Sequence, residues 1–277
     1  MFDIQHIYNN HYNNIIIIGD IHGDLKRLKN ILLNENIITS NLEWIKENII
    51  VIQLGDQIDS ANRNRLINEW EIIKDVEVLN FTNLLNKLAK TKNSLFISII
   101  GNHELMNYLG DFSYVSNNSS YSERQNNFEK KGIYNNILAD RPIVVKINDL
   151  IFCHAGITKN HLDICDKYNK DIYYLNKIWY NLLTNNTDKQ DIEIINKLIL
   201  DNDGILWTRE TQSKEDLSYI LNKLNCNYMF VGHNTVENIT LHNNIWYTDN
   251  GISRAYGKEN YQYIVIDSEH NINIRSL

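Results

Sequence analysis

Proline occurs once in this chain, at Pro142, and cysteine three times, at Cys153, Cys165 and Cys226. Three scattered cysteines cannot build a disulfide framework, and none has the paired spacing of a thiolate zinc site, so the chain suits a reducing compartment. No apolar run approaches the ~20 residues that a membrane-spanning helix needs, so no membrane partner is expected. The start, Met1-Phe2-Asp3-Ile4-Gln5-His6, lacks the basic residues and continuous apolar stretch of a secretory signal, and a cytoplasmic location is expected. Basic blocks are missing too: the formal charge is −7 and no Lys/Arg run exceeds what a solvated helix face carries, which excludes an electrostatic footprint for nucleic acid. The lack of proline accompanies abundant Asn and Ile, a bias of the kind an AT-rich genome imposes rather than a mark of disorder.

An apolar fraction of 43% with 22% charged residues is ordinary for a globular chain of 277 residues, long enough to bury a substantial core. One pattern recurs, a short apolar run that ends in Gly and a polar residue. Ile15-Ile16-Ile17-Ile18 precedes Gly19-Asp20, Ile49-Ile50-Val51-Ile52-Gln53-Leu54 precedes Gly55-Asp56, and Leu95-Phe96-Ile97-Ser98-Ile99-Ile100 precedes Gly101-Asn102. Each reads as a buried strand and a tight turn. Helical periodicity lies between them, at Leu25, Leu28, Ile31 and Leu32 and again at Leu79, Leu84, Leu85 and Leu88, so the alternation is βαβαβ with parallel strands. Later, Leu150-Ile151-Phe152-Cys153 runs into His154, and Tyr228-Met229-Phe230-Val231 runs through Gly232 into His233. Residues 159 to 225 read as mainly helical. Short strand-like runs between 236 and 275, Ile245-Trp246-Tyr247 and Tyr263-Ile264-Val265-Ile266, suggest a second sheet packed on the first, and Ser113 to Asn127 reads as a polar loop.

Ligands of open α/β sheets bind beyond the carboxyl ends of the strands, where Asp20, Asp56, Asn102, His154 and His233 fall. Asp20 and His22 can face one ion from a single turn. A carboxylate such as Asp56 can bridge two cations, Asn102 offers a neutral oxygen, and the histidines offer neutral nitrogens. Two divalent ions facing only two carboxylates keep a net positive charge, which attracts a phosphate dianion and acidifies a bridging water. A departing alkoxide needs a proton; His103 is the candidate donor and Asp59 its orienting carboxylate, which also favours the imidazolium.

Gly19-Asp20-Ile21-His22-Gly23, Gly55-Asp56-Gln57-Ile58-Asp59, Gly101-Asn102-His103-Glu104, His154-Ala155-Gly156 and Gly232-His233 resemble, in order, the motifs of the phosphoprotein phosphatase family of calcineurin-like metallophosphoesterases. Asp24, Met106-Asn107 and His154-Ala155-Gly156 are closest to its bacterial-like (Shewanella-like) branch. The resemblance implies a four-layer α/β/β/α sandwich, with a single catalytic domain over residues 1–277. It also implies two divalent ions (Mn, Fe or Zn), one held by Asp20, His22 and Asp56 and the other by Asp56, Asn102, His154 and His233. The implied reaction is hydrolysis of phosphomonoesters by a dimetal-bridging hydroxide, with phosphorylated protein (Ser/Thr or Tyr) as substrate and His103 with Asp59 as the acid pair.

Ser60 stands where the family carries a phosphate-binding Arg. Leu206-Trp207-Thr208-Arg209-Glu210 resembles a segment with such an Arg in related enzymes, so Arg209 is the first candidate for binding substrate phosphate and Arg63 the second, beside Asn102. Two other readings stay open. Diadenosine tetraphosphate hydrolases, a nucleotide phosphohydrolase class, share most motifs but usually carry Asp where Glu104 stands. A phosphoprotein-binding module without activity fits the change at Ser60, although intact metal and acid residues argue against it. His6, His11, His161, His242 and His270 lack comparable context and are expected at the surface, and Glu104 is expected to brace its turn.

Overall fold

The computed structural model describes residues 6–61, 75–116 and 121–277. Ile7–Tyr8 (β1) leads into Asn14–Ile18 (β2), where the isoleucine run does two jobs. Ile15 and Ile17 face one side and Ile16 and Ile18 the other, as the two-residue strand period requires, and all four are buried. A strand covered on both faces belongs inside a layered α/β fold. Leu25–Asn34 (α1) follows, its N-terminus capped by the Asp24 carboxylate, which accepts the Arg27 backbone N–H at 3.1 Å. Ile49–Gln53 (β3), Glu77–Lys90 (α2) and Leu95–Ser98 (β4) complete the expected alternation, and β2, β3 and β4 pair in parallel.

Asn102–Leu109 (α3), Tyr121–Phe128 (α4) and Ile133–Ala139 (α5) precede the second sheet. That sheet holds Val144–Ile147 (β5), Leu150–Cys153 (β6), Tyr228–Val231 (β7), Thr240–His242 (β8) and Ile245–Tyr247 (β9), with β1 at one edge, in the order β1-β5-β6-β7-β9-β8. Between β6 and β7 lie Lys159–Lys167 (α6), Tyr174–Leu183 (α7), Ile192–Ile195 (α8) and Lys214–Leu224 (α9), matching the helical reading of that stretch. Gln262–Ile266 (β10) and Ile272–Ser276 (β11) finish the first sheet, whose order is β11-β10-β2-β3-β4.

Three clusters of buried side chains define four layers. Ile15, Ile17, Ile50, Ile52 and Ile97 meet Val145, Phe152 and Phe230 between the sheets. Helices α1 and α2 cover the outer face of the first sheet through Leu28, Ile31, Val78 and Leu85 on Ile16, Ile18 and Val51. Helices α5, α6, α7 and α9 cover the second through Leu138, Leu162, Trp179 and Ile220 on Val144, Ile151 and Met229. The expected α/β/β/α sandwich is therefore present.

Three expectations are corrected. Tyr263–Ile266 does not enter the second sheet but pairs antiparallel with β2, because Ile264 and Ile266 complete the inner core beside Ile15 and Ile17 while Tyr263 and Val265 meet the helices. The polar stretch from Ser113 contains helix α4, whose Arg124 and Phe128 are buried. His161 is not a surface residue: its Nδ1 accepts the Thr158 backbone N–H at 3.1 Å and its Nε2 lies 2.7 Å from the Asp203 carbonyl.

Candidate active site

The carboxyl ends of β2, β3, β6 and β7 and the start of α3 meet at one point. Asp56 occupies its middle and divides its two oxygens. Oδ2 faces Nε2 of His22 at 3.9 Å and of His103 at 3.8 Å, whereas Oδ1 faces Nε2 of His154 at 3.4 Å and accepts the His103 backbone N–H at 3.0 Å. Two triads sharing Asp56 result, His22-Asp56-His103 and Asp56-His154-His233, each with ligand atoms within 4.8 Å of one another. Asn102 joins the second, its Oδ1 lying 2.9 Å from both His154 Nε2 and His233 Nδ1. Close backbone approach makes this possible: a Cβ at Gly101 would overlap Asp56 Oδ1, and one at Gly232 would overlap Asp20 Oδ1.

The second nitrogen of each liganding imidazole meets a backbone carbonyl. His22 Nδ1 lies 3.0 Å from the Asp59 oxygen, His154 Nδ1 2.7 Å from that of Leu54, and His233 Nε2 3.0 Å from that of Trp207. Those nitrogens carry protons, so in the neutral tautomers His22 Nε2, His154 Nε2 and His233 Nδ1 are the lone pairs aimed at the centre. Lone pairs then face carboxylate and amide oxygens, an arrangement that a cation between them reconciles.

The charges agree. Burial pushes the Asp56 carboxyl up, but the imidazoles of His154, His103 and His22 override it and hold it well below the usual range. Burial pulls His154 down, yet Asp56 and Asp20 raise it to about 10, a demand for positive charge at that nitrogen. Burial and the neighbouring His154 hold His233 neutral, at about 3. The donor set of oxygen and nitrogen fits a pair of divalent cations.

His103 takes a place in the first triad where the resemblance implies Asp20. Asp20 nevertheless sits at the same centre: its Oδ2 accepts the His233 backbone N–H at 3.0 Å, and its Oδ1 is buried with no hydrogen-bond partner among the described residues. A buried, partnerless carboxylate oxygen is a natural cation contact. Four site residues are held in the left-handed backbone region, His22 (φ 42°), Asp56 (φ 49°), Asp59 (φ 68°) and His233 (φ 61°), the kind of local strain that persists where the surroundings over-determine it.

His103 Nδ1 lies 3.0 Å from Asp59 Oδ2, as the sequence suggested. Glu104 braces its turn by accepting the backbone N–H groups of Asp56, Gln57 and Gly101 at 3.0, 2.8 and 2.8 Å. Arg209 is exposed, donates to Asn234 Oδ1 at 2.8 Å and helps to depress the His233 imidazole, which places it at the rim. Arg63 lies outside the described residues. Ser60 is buried. Sequence reasoning missed two rings that flank the imidazoles: Tyr114 is 5.0 Å from His103 and Tyr256 is 5.7 Å from His22, centroid to centroid. Neither carried a motif: Tyr114 lies in the polar stretch that begins at Ser113, just after α3, and Tyr256 in the turn at 253–256.

Fold and centre together define a metal-dependent hydrolase with a dinuclear site. Residues 14–237 match the family described as Calcineurin-like phosphoesterase. The chain is 30% identical over 312 aligned residues to Shewanella-like protein phosphatase 1 of Plasmodium berghei, covering 96% of this chain and 76% of the relative. Its fold is shared with a cold-active protein-tyrosine phosphatase of a psychrophilic Shewanella species, at a TM-score of 0.76 and 21% identity over 98% of this chain and 84% of that one. A protein serine/threonine phosphatase from Saccharomyces cerevisiae shares it more distantly, at 0.57 and 13% over 98% and 82%. The chain belongs to the calcineurin-like metallophosphoesterase family and is related to its Shewanella-like phosphatase branch.

Proposed function

We propose that this chain is a protein phosphatase that hydrolyses phosphomonoesters. The observation that carries the reading is the position of His103, with one imidazole nitrogen on Asp59 and the other 3.8 Å from the shared carboxylate Asp56. A proton donor fixed at the edge of a dimetal centre suits a reaction in which an alcohol leaves phosphorus. Two divalent cations bound by Asp20, His22, Asp56, Asn102, His154 and His233 would neutralise the phosphate and supply hydroxide at neutral pH. Asp59 accepts from His103 Nδ1 and thereby turns Nε2 toward the departing oxygen, where the imidazolium delivers its proton. Arg209 at the rim would bind a phosphate oxygen, its guanidinium steadied by Asn234.

A protein substrate is supported by the relatives, since the similar chain from Plasmodium berghei is named a protein phosphatase and the Shewanella structure a protein-tyrosine phosphatase. The test is turnover of phosphoserine, phosphothreonine and phosphotyrosine peptides beside dinucleoside polyphosphates, each with manganese, iron or zinc. Preference for a phosphopeptide supports the reading. Cleavage of the dinucleotides alone would replace it with a nucleotide phosphohydrolase.

A further inference from the structure

Asp59 is fixed on every side. Its backbone N–H donates to Asp75 Oδ2 at 2.8 Å, which pins the left-handed conformation at φ 68°. Its Oδ2, the oxygen that meets His103, also accepts from Asn107 Nδ2 at 2.7 Å. Its Oδ1 accepts from Arg124 Nη2 at 2.7 Å. The same guanidinium binds Asp75, through Nη1 to Oδ1 at 2.8 Å and Nη2 to Oδ2 at 2.9 Å, and donates from Nε to Asn107 Oδ1 at 2.5 Å. Arg124, Asp59, Asp75 and Asn107 are all buried.

We propose that Arg124 is a positioning residue for the leaving-group acid: it locks the rotation of the Asp59 carboxylate so that Oδ2 meets His103 Nδ1. This rests on the reading of His103 as the acid. A buried ion pair alone explains only that Arg124 has a carboxylate partner. Three further features point to positioning. Arg124 takes the Asp59 oxygen that His103 does not use, so the two contacts together fix the carboxylate plane. Its other partners, Asp75 and Asn107, are the two groups that hold the Asp59 backbone and the catalytic oxygen itself. The planar fork reaches Asn107, Asp59 and Asp75 at once, which a lysine ammonium, a compact point charge, cannot reproduce. Asn107 also ties the assembly to the turn of His103, donating to its carbonyl at 2.9 Å.

The experiment compares Arg124→Ala with the parent chain, loaded with manganese, on a phosphoserine peptide and on para-nitrophenyl phosphate. The ratio of the two kcat/KM values is read, because a partly folded or partly loaded sample lowers both values alike. Serine alkoxide needs the proton and para-nitrophenolate hardly does, so the ratio should fall by about tenfold or more, part of the ~10²–10⁴-fold that a general acid contributes. Guanidinium ion should restore much of the ratio in Arg124→Ala and none of it in His103→Ala. In the His103→Ala background, Arg124→Ala should leave the ratio unchanged, since a group acting through His103 has nothing left to act on. Should Arg124→Ala not accumulate, Asn107→Ala removes the second clamp without stranding two carboxylates and should shift the ratio in the same direction.

An unchanged ratio in Arg124→Ala, or a further fall in the His103→Ala background, would overturn the proposal while leaving His103 as the acid. An unchanged ratio in His103→Ala itself would remove the acid reading, and this inference with it.

Discussion

Asp20 and His233, far apart in the chain, are joined by a 3.0 Å hydrogen bond from the His233 backbone N–H to Asp20 Oδ2, while Asp20 Oδ1 is buried without a hydrogen-bond partner among the described residues. Burial, followed by the charges of Asp249 and Asp56, pushes the Asp20 carboxyl well up. In metal-free protein its ionised form is therefore destabilising: stability is present below the unfolded pKa and lost as pH rises through the folded one. Asp20→Asn should stabilise the stripped protein at neutral pH by roughly 1–3 kcal/mol and weaken the metal-loaded form. Thermal unfolding with chelator and with manganese reads both signs. A loss of stability in both states would mean that Asp20 is purely structural.

Asp24 is fully buried and meets Arg254 on both oxygens, Nε to Oδ2 at 2.8 Å and Nη2 to Oδ1 at 2.9 Å, while Ser253 Oγ donates to the His22 carbonyl at 3.2 Å. The turn that carries Asp20 and His22 is thus tied to the turn at 253–256. Arg254→Ala strands a buried carboxylate and should cost about 3–5 kcal/mol, with part of the loss recovered by adding Asp24→Asn. Urea unfolding of the two variants decides it; a loss under about 1 kcal/mol would show that water reaches Asp24.

Burial holds the His161 imidazole below its ordinary range, and its two bonds select the neutral form. The unfolded chain binds that proton near pH 6.5 and the folded chain resists it, so stability falls as pH drops below about 6.5, by up to about 1.4 kcal/mol per unit for one proton. His161→Gln should flatten the slope between about pH 5 and 6.5. Equal slopes in both proteins would assign the acid sensitivity to other groups.

Arg209 donates to a single side chain, Asn234, among the described residues and sits at the rim. Removing a charge-assisted phosphate contact is worth roughly 1.5–3 kcal/mol, so Arg209→Ala should lower kcat/KM by about 10- to 100-fold, mostly through KM, and Arg209→Lys should recover part of it. A wild-type KM in Arg209→Ala would move the phosphate contact elsewhere.

The centre was legible because Asp20, Asp56, Asn102, His154 and His233 each follow an apolar run, directly or after one Gly, and lie at a strand end, so local sequence carries both their chemistry and their place in the sheet. The same logic found the Ile15–Ile18 strand and the helices of residues 159 to 225. What escaped depends on contacts that local pattern does not encode. A two-residue period marks Tyr263–Ile266 as a strand without saying that it pairs with β2. Arg124 reaches Asp59 across 65 residues from a stretch rich in Asn and Ser, where polar composition reads as loop. His161 is buried through its own helix cap and a carbonyl 42 residues away.

The central claim is that a cation pair bridged by Asp56 drives phosphomonoester hydrolysis. Its most direct test is turnover of para-nitrophenyl phosphate during titration of manganese into chelator-stripped protein, for the parent chain and for Asp56→Asn, with bound metal measured at each point. The parent should be inactive when stripped and reach its plateau at two bound ions. Asp56→Asn should bind less than one ion and lose on the order of 10³-fold in rate, since several kcal/mol of transition-state charge stabilisation go with the metals. Full turnover in the stripped parent, or two tightly bound ions with normal turnover in Asp56→Asn, would contradict the account.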